Sequence, residues 1–179
     1  MQTELEVKIL DVNIEGIKLI LEKLQASYKW SKMMKRYVYN FNPIRQWSRV
    51  RLRDNWNQTT LTIKEISSDN IDWTKELEIV VDSFEKTHEI LKKLWYKEKA
   101  YQENRRTSYD LMWVNIEIDE RPMIPPYIEI EWNSTQEIED IVSKLGYSMN
   151  QTTAINTNKI YLKYWIDIET ISFLSFEGF

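Results

Sequence analysis

The stretch Glu4-Leu5-Glu6-Val7-Lys8-Ile9 alternates charged and apolar side chains at every step. Period two is the spacing of a β-strand, whose successive side chains point to opposite faces. Leu5, Val7 and Ile9 therefore share one face, and Glu4, Glu6 and Lys8 share the other. The same signature recurs outward from this point. Arg36 to Phe41 sets Tyr37, Tyr39 and Phe41 against Val38 and Asn40. Arg49 to Arg53, Thr60 to Lys64 and Glu76 to Ile79 alternate again, and Arg105 to Leu111 does so more weakly. Trp113 to Asp119 places Asn115, Glu117 and Asp119 on one face, and Tyr127 to Glu131 completes a set of eight predicted strands. Turn formers lie between them: Asp54-Asn55 with Asn57, Ser67 to Asn70, and Pro122 with Pro125-Pro126.

A solvated strand face normally mixes residue types, whereas these faces are unmixed. Glu4 pairs with Glu6, Arg49 with Arg51 and Arg53, Glu76 with Glu78, Glu117 with Asp119, and Glu129 with Glu131, while Lys64 follows two threonines. Like charges two residues apart, about 7 Å along a strand, repel in a low-dielectric setting. Such clusters are retained when a ligand neutralises them. Paired carboxylates on neighbouring strands are hard-oxygen ligands for Mg²⁺ or Mn²⁺, and clustered arginine suits phosphate oxygens. If eight strands close into a barrel, the apolar faces turn outward against helices. The charged faces then line a lumen wide enough for one small ligand.

Three helices are predicted with caps, and a fourth near the C-terminus. Asn13 caps a helix carrying Ile17, Leu21 and Leu24. Asp82 and Glu85 read as a capping box ahead of Phe84, Leu91 and Leu94. Ser134 to Glu137 read as a second box, followed by Ile138, Ile141, Val142 and Leu145, with Gly146 at the end. A last helix starts at Thr157, and the apolar segment 168–179 reads as a final strand or a plug.

Composition narrows the function classes. The 179 residues carry a formal net charge of −4, which argues against non-specific nucleic-acid binding. There is no Cys, hence no disulfide or thiolate chemistry, and a single His, His88, excludes a multi-histidine zinc site. His88 reads as a surface residue of its helix. Trp30, Trp56 and Trp95 read as packing or loop cover rather than base-stacking platforms. No apolar run is long enough to span a bilayer and the N-terminus has no leader pattern, so a cytoplasmic location is expected.

These motifs, taken in order, resemble the CYTH domain, or triphosphate tunnel metalloenzyme, family. Glu4-Leu5-Glu6-Val7-Lys8 reads as its ExExK signature, Val50-Arg51-Leu52-Arg53 as its LRxR strand, and Leu61-Thr62-Ile63-Lys64 as LTxK. Lys75 to Glu78 resembles its basic-ExE strand, Arg105 to Tyr109 its RxxY region, and the segments 118–122 and 124–131 its late acidic strands. The likeness covers nearly the whole chain, 1–179, as a single domain. It implies an α+β fold: an eight-stranded antiparallel β-barrel tunnel with a charged lumen and helices outside. The ligands it implies are a triphosphate and Mg²⁺ or Mn²⁺.

By that resemblance, Glu4, Glu6, Asp119, Glu129 and Glu131 hold metal, and Lys8, Arg51, Arg53, Lys64 and Arg106 hold phosphate; Arg49 is an extra phosphate-binding base, in phase with Arg51 at the tunnel mouth. Glu76 and Glu78, with Asp119, complete a second metal or water site, and Glu4, Glu6, Glu76, Glu78 and Lys8 carry the catalytic chemistry. The chain departs from the family where a Lys is expected two positions before the strand-6 Arg, because Asn104 stands there. Arg106 is preferred over Arg105, since Tyr109 follows it at the family spacing. The activities implied are hydrolysis of inorganic or small organic triphosphates, adenylate cyclase chemistry as runner-up, and binding without turnover as a third reading. The expected partner is a small triphosphate, with an RNA 5′-triphosphate end still open and a homodimer as a minority reading.

Overall fold

The computed structural model describes residues 5–45, 48–66 and 74–178. The elements run β1 (Leu5–Ile9), α1 (Ile14–Lys23), β2 (Ser27–Tyr39), β3 (Ser48–Asp54), β4 (Thr59–Ile66) and β5 (Thr74–Val81). They continue with α2 (Phe84–Lys93), β6 (Glu98–Leu111), β7 (Val114–Arg121), β8 (Ile124–Trp132), α3 (Thr135–Lys144), α4 (Thr157–Lys163) and β9 (Phe173–Leu174). The hydrogen-bonded order is β1-β8-β7-β6-β2-β3-β4-β5, with β9 added to β6. All eight expected strands are present, with helices beside them. Among the described residues β1 and β5 are the two ends of that order, so the backbone pairing is not closed. Among the described residues no helix is long and apolar enough to cross a membrane.

The chain forms two compact units, one from residues 1–32 and 105–168, the other from 33–104 and 169–179. In the first, register aligns the apolar faces of three strands: Val7 opposes Ile130, Ile9 opposes Ile128, and Ile116 and Ile118 oppose Ile130 and Ile128. A slip of one residue would turn every one of these side chains to the other face. Helices α1 and α3 cover this face through Ile17, Leu21, Ile138, Ile141 and Val142, all buried in one core. Burying each such side chain is worth about 1.5–3 kcal/mol.

The caps explain where these helices start and stop. The Asn13 side chain accepts from the Gly16 amide at 2.7 Å. Ser134 accepts from the Glu137 amide at 3.4 Å, but the Glu137 carboxylate accepts from Trp132 Nε1 instead of reaching back to the cap. Gly146 ends α3 with φ +87°, a left-handed value that a side chain disfavours.

In the second unit, Tyr39, Val50, Leu52, Phe84 and Leu91 form the core. Register sets Tyr37 opposite Leu52, and Tyr39 opposite Val50. The cap of α2 is Ser83, not Asp82: its extended backbone lets Oγ accept from the Lys86 amide at 3.2 Å. Strand β9 pairs with β6 in parallel, and Phe173 stacks on Tyr101 at 4.9 Å, as a final strand would.

Several expectations are corrected. Strands β2 and β6 extend well N-terminal of their predicted starts. Their extra segments are mostly polar; in β6, Gln102 and Asn104 are nevertheless buried, so hydropathy alone concealed the strand. Strand β8 begins at Ile124 and includes Pro125 and Pro126, which were read as a turn. His88 is not a surface residue: it lies on the Phe84–Leu91 stripe, stacks on Tyr37 at 4.0 Å and bonds the Tyr39 hydroxyl through Nδ1 at 2.7 Å. Trp56 and Trp95 do not pack, being 78% and 81% exposed.

Candidate functional site

Opposite the apolar face of the first unit, the same strands present charge. Register brings Glu6 against Glu131 and Lys8 against Glu129 across β1 and β8. Glu129 stands against Glu117, and Glu131 against Asn115, across β8 and β7. Arg106 stands against Asp119, and Ser108 against Glu117, across β6 and β7. Residues read as period-two alternation on separate strands thus share one sheet face.

Arg106 is the hub of this face. Its Nη1 pairs with Glu117, and its Nη2 donates to Asp119 Oδ2 at 2.7 Å and to Glu129 Oε2 at 2.5 Å. Burial on its own lowers the affinity of Arg106 for its proton, but Asp119, Glu129 and Glu117 outweigh that and hold it charged. Lys8 is 5% exposed, pairs with Glu6 and lies 3.8 Å from Glu129 Oε1. Burial pulls the Lys8 pKa below the usual lysine value, and the Glu129 charge opposes the shift in part. Burial likewise pushes the Glu117 carboxyl up, against the pull of Arg106. Arg105 takes the other phase, half-exposed beside Glu120, so Arg106 is the arginine on the charged face.

Asp119 differs from the other acids. It is fully buried, and its Oδ2 also accepts from Arg121 Nη2 at 3.1 Å and from the Tyr127 hydroxyl at 3.3 Å. Arg121 Nε donates to the same Tyr127 oxygen at 2.7 Å. Sequence reading missed Arg121 and Tyr127. Both continue the charged phase, but Arg121 adjoins Pro122, which reads as a turn former, and Tyr127 carries no charge.

The second unit carries a basic face. Arg49, Arg51 and Arg53 alternate on β3, with Arg51 opposite Thr62 and Arg53 opposite Thr60 and Arg36. Arg51 Nη2 lies 3.5 Å from Thr62 Oγ1 and 3.7 Å from Glu78 Oε2, and Thr62 donates to Glu78 at 2.6 Å. Arg36 was not among the expected site residues, although it is in phase with them; its Nε donates to Gln102 at 2.8 Å. The alternation of Tyr37, Tyr39 and Phe41 against Val38 and Asn40 already implied that phase. Glu4 lies outside the described residues, as do the side chains of Lys64 and Glu76. Their backbones pair with each other in register, and Lys64 also pairs with Arg49.

A separate polar cavity of about 550 Å³ in the first unit is lined by Asp11, Asn150, Gln151, Thr153, Lys163 and Tyr164 among others, and by none of the charged-face residues.

Comparison with known proteins agrees with this arrangement. The CYTH domain profile matches residues 2–155. A Pyrococcus horikoshii OT3 protein of solved structure is 24% identical and covers 94% of this chain and 99% of its own, at a TM-score of 0.67. A candidate adenylate cyclase of Vibrio parahaemolyticus superposes at a TM-score of 0.71 with 11% identity, covering 90% of this chain and 98% of its own. A Hippeastrum candidate adenylyl cyclase with a dominant triphosphatase activity gives 0.61 with 13% identity, covering 92% of this chain and 96% of its own. At these identities the likenesses speak to fold. No curated protein matches the chain. With the profile spanning most of its length and its strands in the family order, the chain belongs to the CYTH domain family.

Proposed function

We propose that this chain is a metal-dependent hydrolase of inorganic triphosphate or of a small organic or nucleoside triphosphate. The observation that carries the reading is the alternation of acid and base on one buried face, Lys8 and Arg106 set among Glu6, Glu117 and Glu129. Bases alone would suit any anion. Bases interleaved with carboxylates suit an anion that arrives with its own divalent cation.

The donor set fits Mg²⁺ or Mn²⁺ in chemistry. Glu6, Glu129 and Glu131, with Glu4 beside them in sequence, offer hard oxygens from two paired strands. Among the described residues no group of three acids already converges as a cage. Lys8 holds Glu6 and Arg106 holds Glu129, so cation binding would exchange these two ion pairs for coordination. The cation supplies charge neutralisation and a polarised water. The chain's own part is to bind phosphate: Lys8 and Arg106 are the bases of the first unit for this, and Arg49, Arg51, Arg53 and Lys64 those of the second. Glu76 and Glu78 hold a second cation or orient a water, and Thr62 fixes the Glu78 carboxylate.

Hydrolysis is preferred to cyclisation because nothing in the described residues demands an adenine pocket, and the Hippeastrum relative is itself dominantly a triphosphatase. The test is product analysis after incubation with tripolyphosphate, ATP and thiamine triphosphate, with Mg²⁺, with Mn²⁺ and with excess EDTA. Orthophosphate that disappears in EDTA is expected. Cyclic AMP with pyrophosphate would establish the cyclase, and tight binding without product a sensor.

A further inference from the structure

Asp119 was expected, by family resemblance, among the metal ligands. Its surroundings point elsewhere. It is fully buried, and two guanidinium groups and a phenol hydroxyl converge on its Oδ2. A divalent cation approaching that oxygen would meet two fixed positive charges and would have to displace all three donors. Glu6, by contrast, pairs with Lys8 and with no arginine among the described residues, and its side chain remains 38% exposed.

We propose that Asp119, Arg121 and Tyr127 are positioning residues that clamp Arg106, and that Asp119 does not bind the metal. Arg106 is otherwise a long side chain with many rotamers, and ordering it on binding costs affinity. The clamp settles that order in advance. Arg121, 7% exposed, carries no other ion pair among the described residues than that with Asp119. Its Nε fixes the Tyr127 oxygen, and that hydroxyl donates to Asp119. Asp119 in turn grips Arg106 Nη2 while Glu117 takes Nη1. The Nε of Arg106 is buried and has no hydrogen-bond partner, which a buried donor seldom tolerates. As a buried N–H that no protein group takes, it is placed to receive an incoming oxygen, and on the reading above that oxygen belongs to the triphosphate.

The test uses Asp119→Asn, Arg121→Lys and Tyr127→Phe, the last differing by a single hydroxyl, with Glu129→Gln as the metal-ligand control. Mn²⁺ affinity of the substrate-free protein is read by electron paramagnetic resonance. Tripolyphosphate affinity is read by calorimetry, and the Arg106 Nε–H signal by ¹⁵N NMR. In all three variants Mn²⁺ affinity is expected to stay within about twofold of wild type, tripolyphosphate binding to weaken by about tenfold, the size of one charge-assisted bond, and the Arg106 signal to broaden or vanish. Glu129→Gln alone loses Mn²⁺. Loss of Mn²⁺ affinity in Asp119→Asn comparable to that in Glu129→Gln would overturn the proposal, as would an unchanged Arg106 signal in Tyr127→Phe. If wild type binds no triphosphate, the functional reading fails, while the Mn²⁺ and Arg106 measurements still decide the clamp.

A second observation is independent of the first. Of the six tryptophans among the described residues, Trp56, Trp95, Trp113 and Trp165 have φ of 71°, 66°, 74° and 62°. Left-handed backbone is uncommon outside glycine and rarest for bulky residues. No packing compensates, because all four side chains are at least 76% exposed. Trp95 and Trp165 follow the C-caps of α2 and α4 with the hydrogen bonds that Gly146 makes after α3. The amides of Trp95, Trp165 and Gly146 reach back three residues, and the next amide in each case reaches back five; after α1 the unbranched, polar Gln25 makes the same pattern at φ 58°. The chain has only three glycines against eight tryptophans.

We infer that these four positions are glycine in the polypeptide made by the source cell, specified by a codon decoded there as glycine and distinct from the one that specifies Trp30 and Trp132. Peptide mass spectrometry of the protein from its natural source tests this. Glycine is expected at all four sites, and tryptophan at residues 95 and 165 would overturn the inference.

Discussion

Arg106 and Asp119 oppose each other in register on β6 and β7, 2.7 Å apart, and the carboxylate that receives the arginine also receives Arg121. Acids and bases on this face are therefore not independent sites. Removing any one of them leaves a buried partner short of its counter-charge.

Glu129→Gln illustrates the consequence. Relief of carboxylate repulsion would by itself stabilise the protein without metal. Glu129, however, holds Arg106 at 2.5 Å and lies 3.8 Å from the buried Lys8. The variant should lose Mn²⁺ binding and also about 1–3 kcal/mol of stability. Urea unfolding without metal measures this, and a variant as stable as wild type would show that the pairs contribute nothing.

Arg51 and Arg53 should read the phosphate chain rather than the rest of the substrate, because both occupy the charged phase of β3 beside the β4 threonines. Charge-assisted bonds of about 1.5–3 kcal/mol each make Arg53→Ala about ten- to a hundredfold weaker for tripolyphosphate and ATP alike. Arg53→Lys should also lose affinity, since an ammonium cannot copy the fork. Calorimetric titration of both ligands checks it; retention of tripolyphosphate with loss of ATP would place Arg53 at the nucleoside.

His88 makes stability depend on pH. Burial between Tyr37 and the Tyr39 hydroxyl lowers its pKa below 6.5, with Glu98 opposing in part. Between that folded pKa and 6.5 the unfolded chain binds the proton and the folded chain does not. Stability should therefore fall as pH drops through this window, with the loss complete below the folded pKa. His88→Gln should flatten the difference between pH 7 and pH 5 in parallel urea melts. Equal slopes in both proteins would remove His88 as the source.

Trp95→Gly and Trp165→Gly, in the recombinant chain, should each stabilise. Left-handed backbone costs a residue with a β-carbon about 1–2 kcal/mol, offset in part by glycine's entropy of about 0.5–1 kcal/mol. A net gain near 0.5–1 kcal/mol corresponds to roughly 1–4 °C in Tm for a chain of this size. Trp30→Gly, within β2, should destabilise and serves as the control.

What the sequence by itself determined is phase. Alternation is a property of neighbouring residues, so the charged faces of β1, β3, β7 and β8, the cap at Ser134 and the stripe of α3 were all legible before any contact was known. The ordered motifs added the family. Tertiary structure alone decided who faces whom. Arg106 meets Asp119, Glu117 and Glu129 only because three strands pair in one register, and Arg121 enters the site only because the chain keeps extended backbone to that point. His88 and the buried polar run of β6 were misjudged for the same reason. Burial depends on what another strand or helix lays over a residue, and no local pattern carries that information.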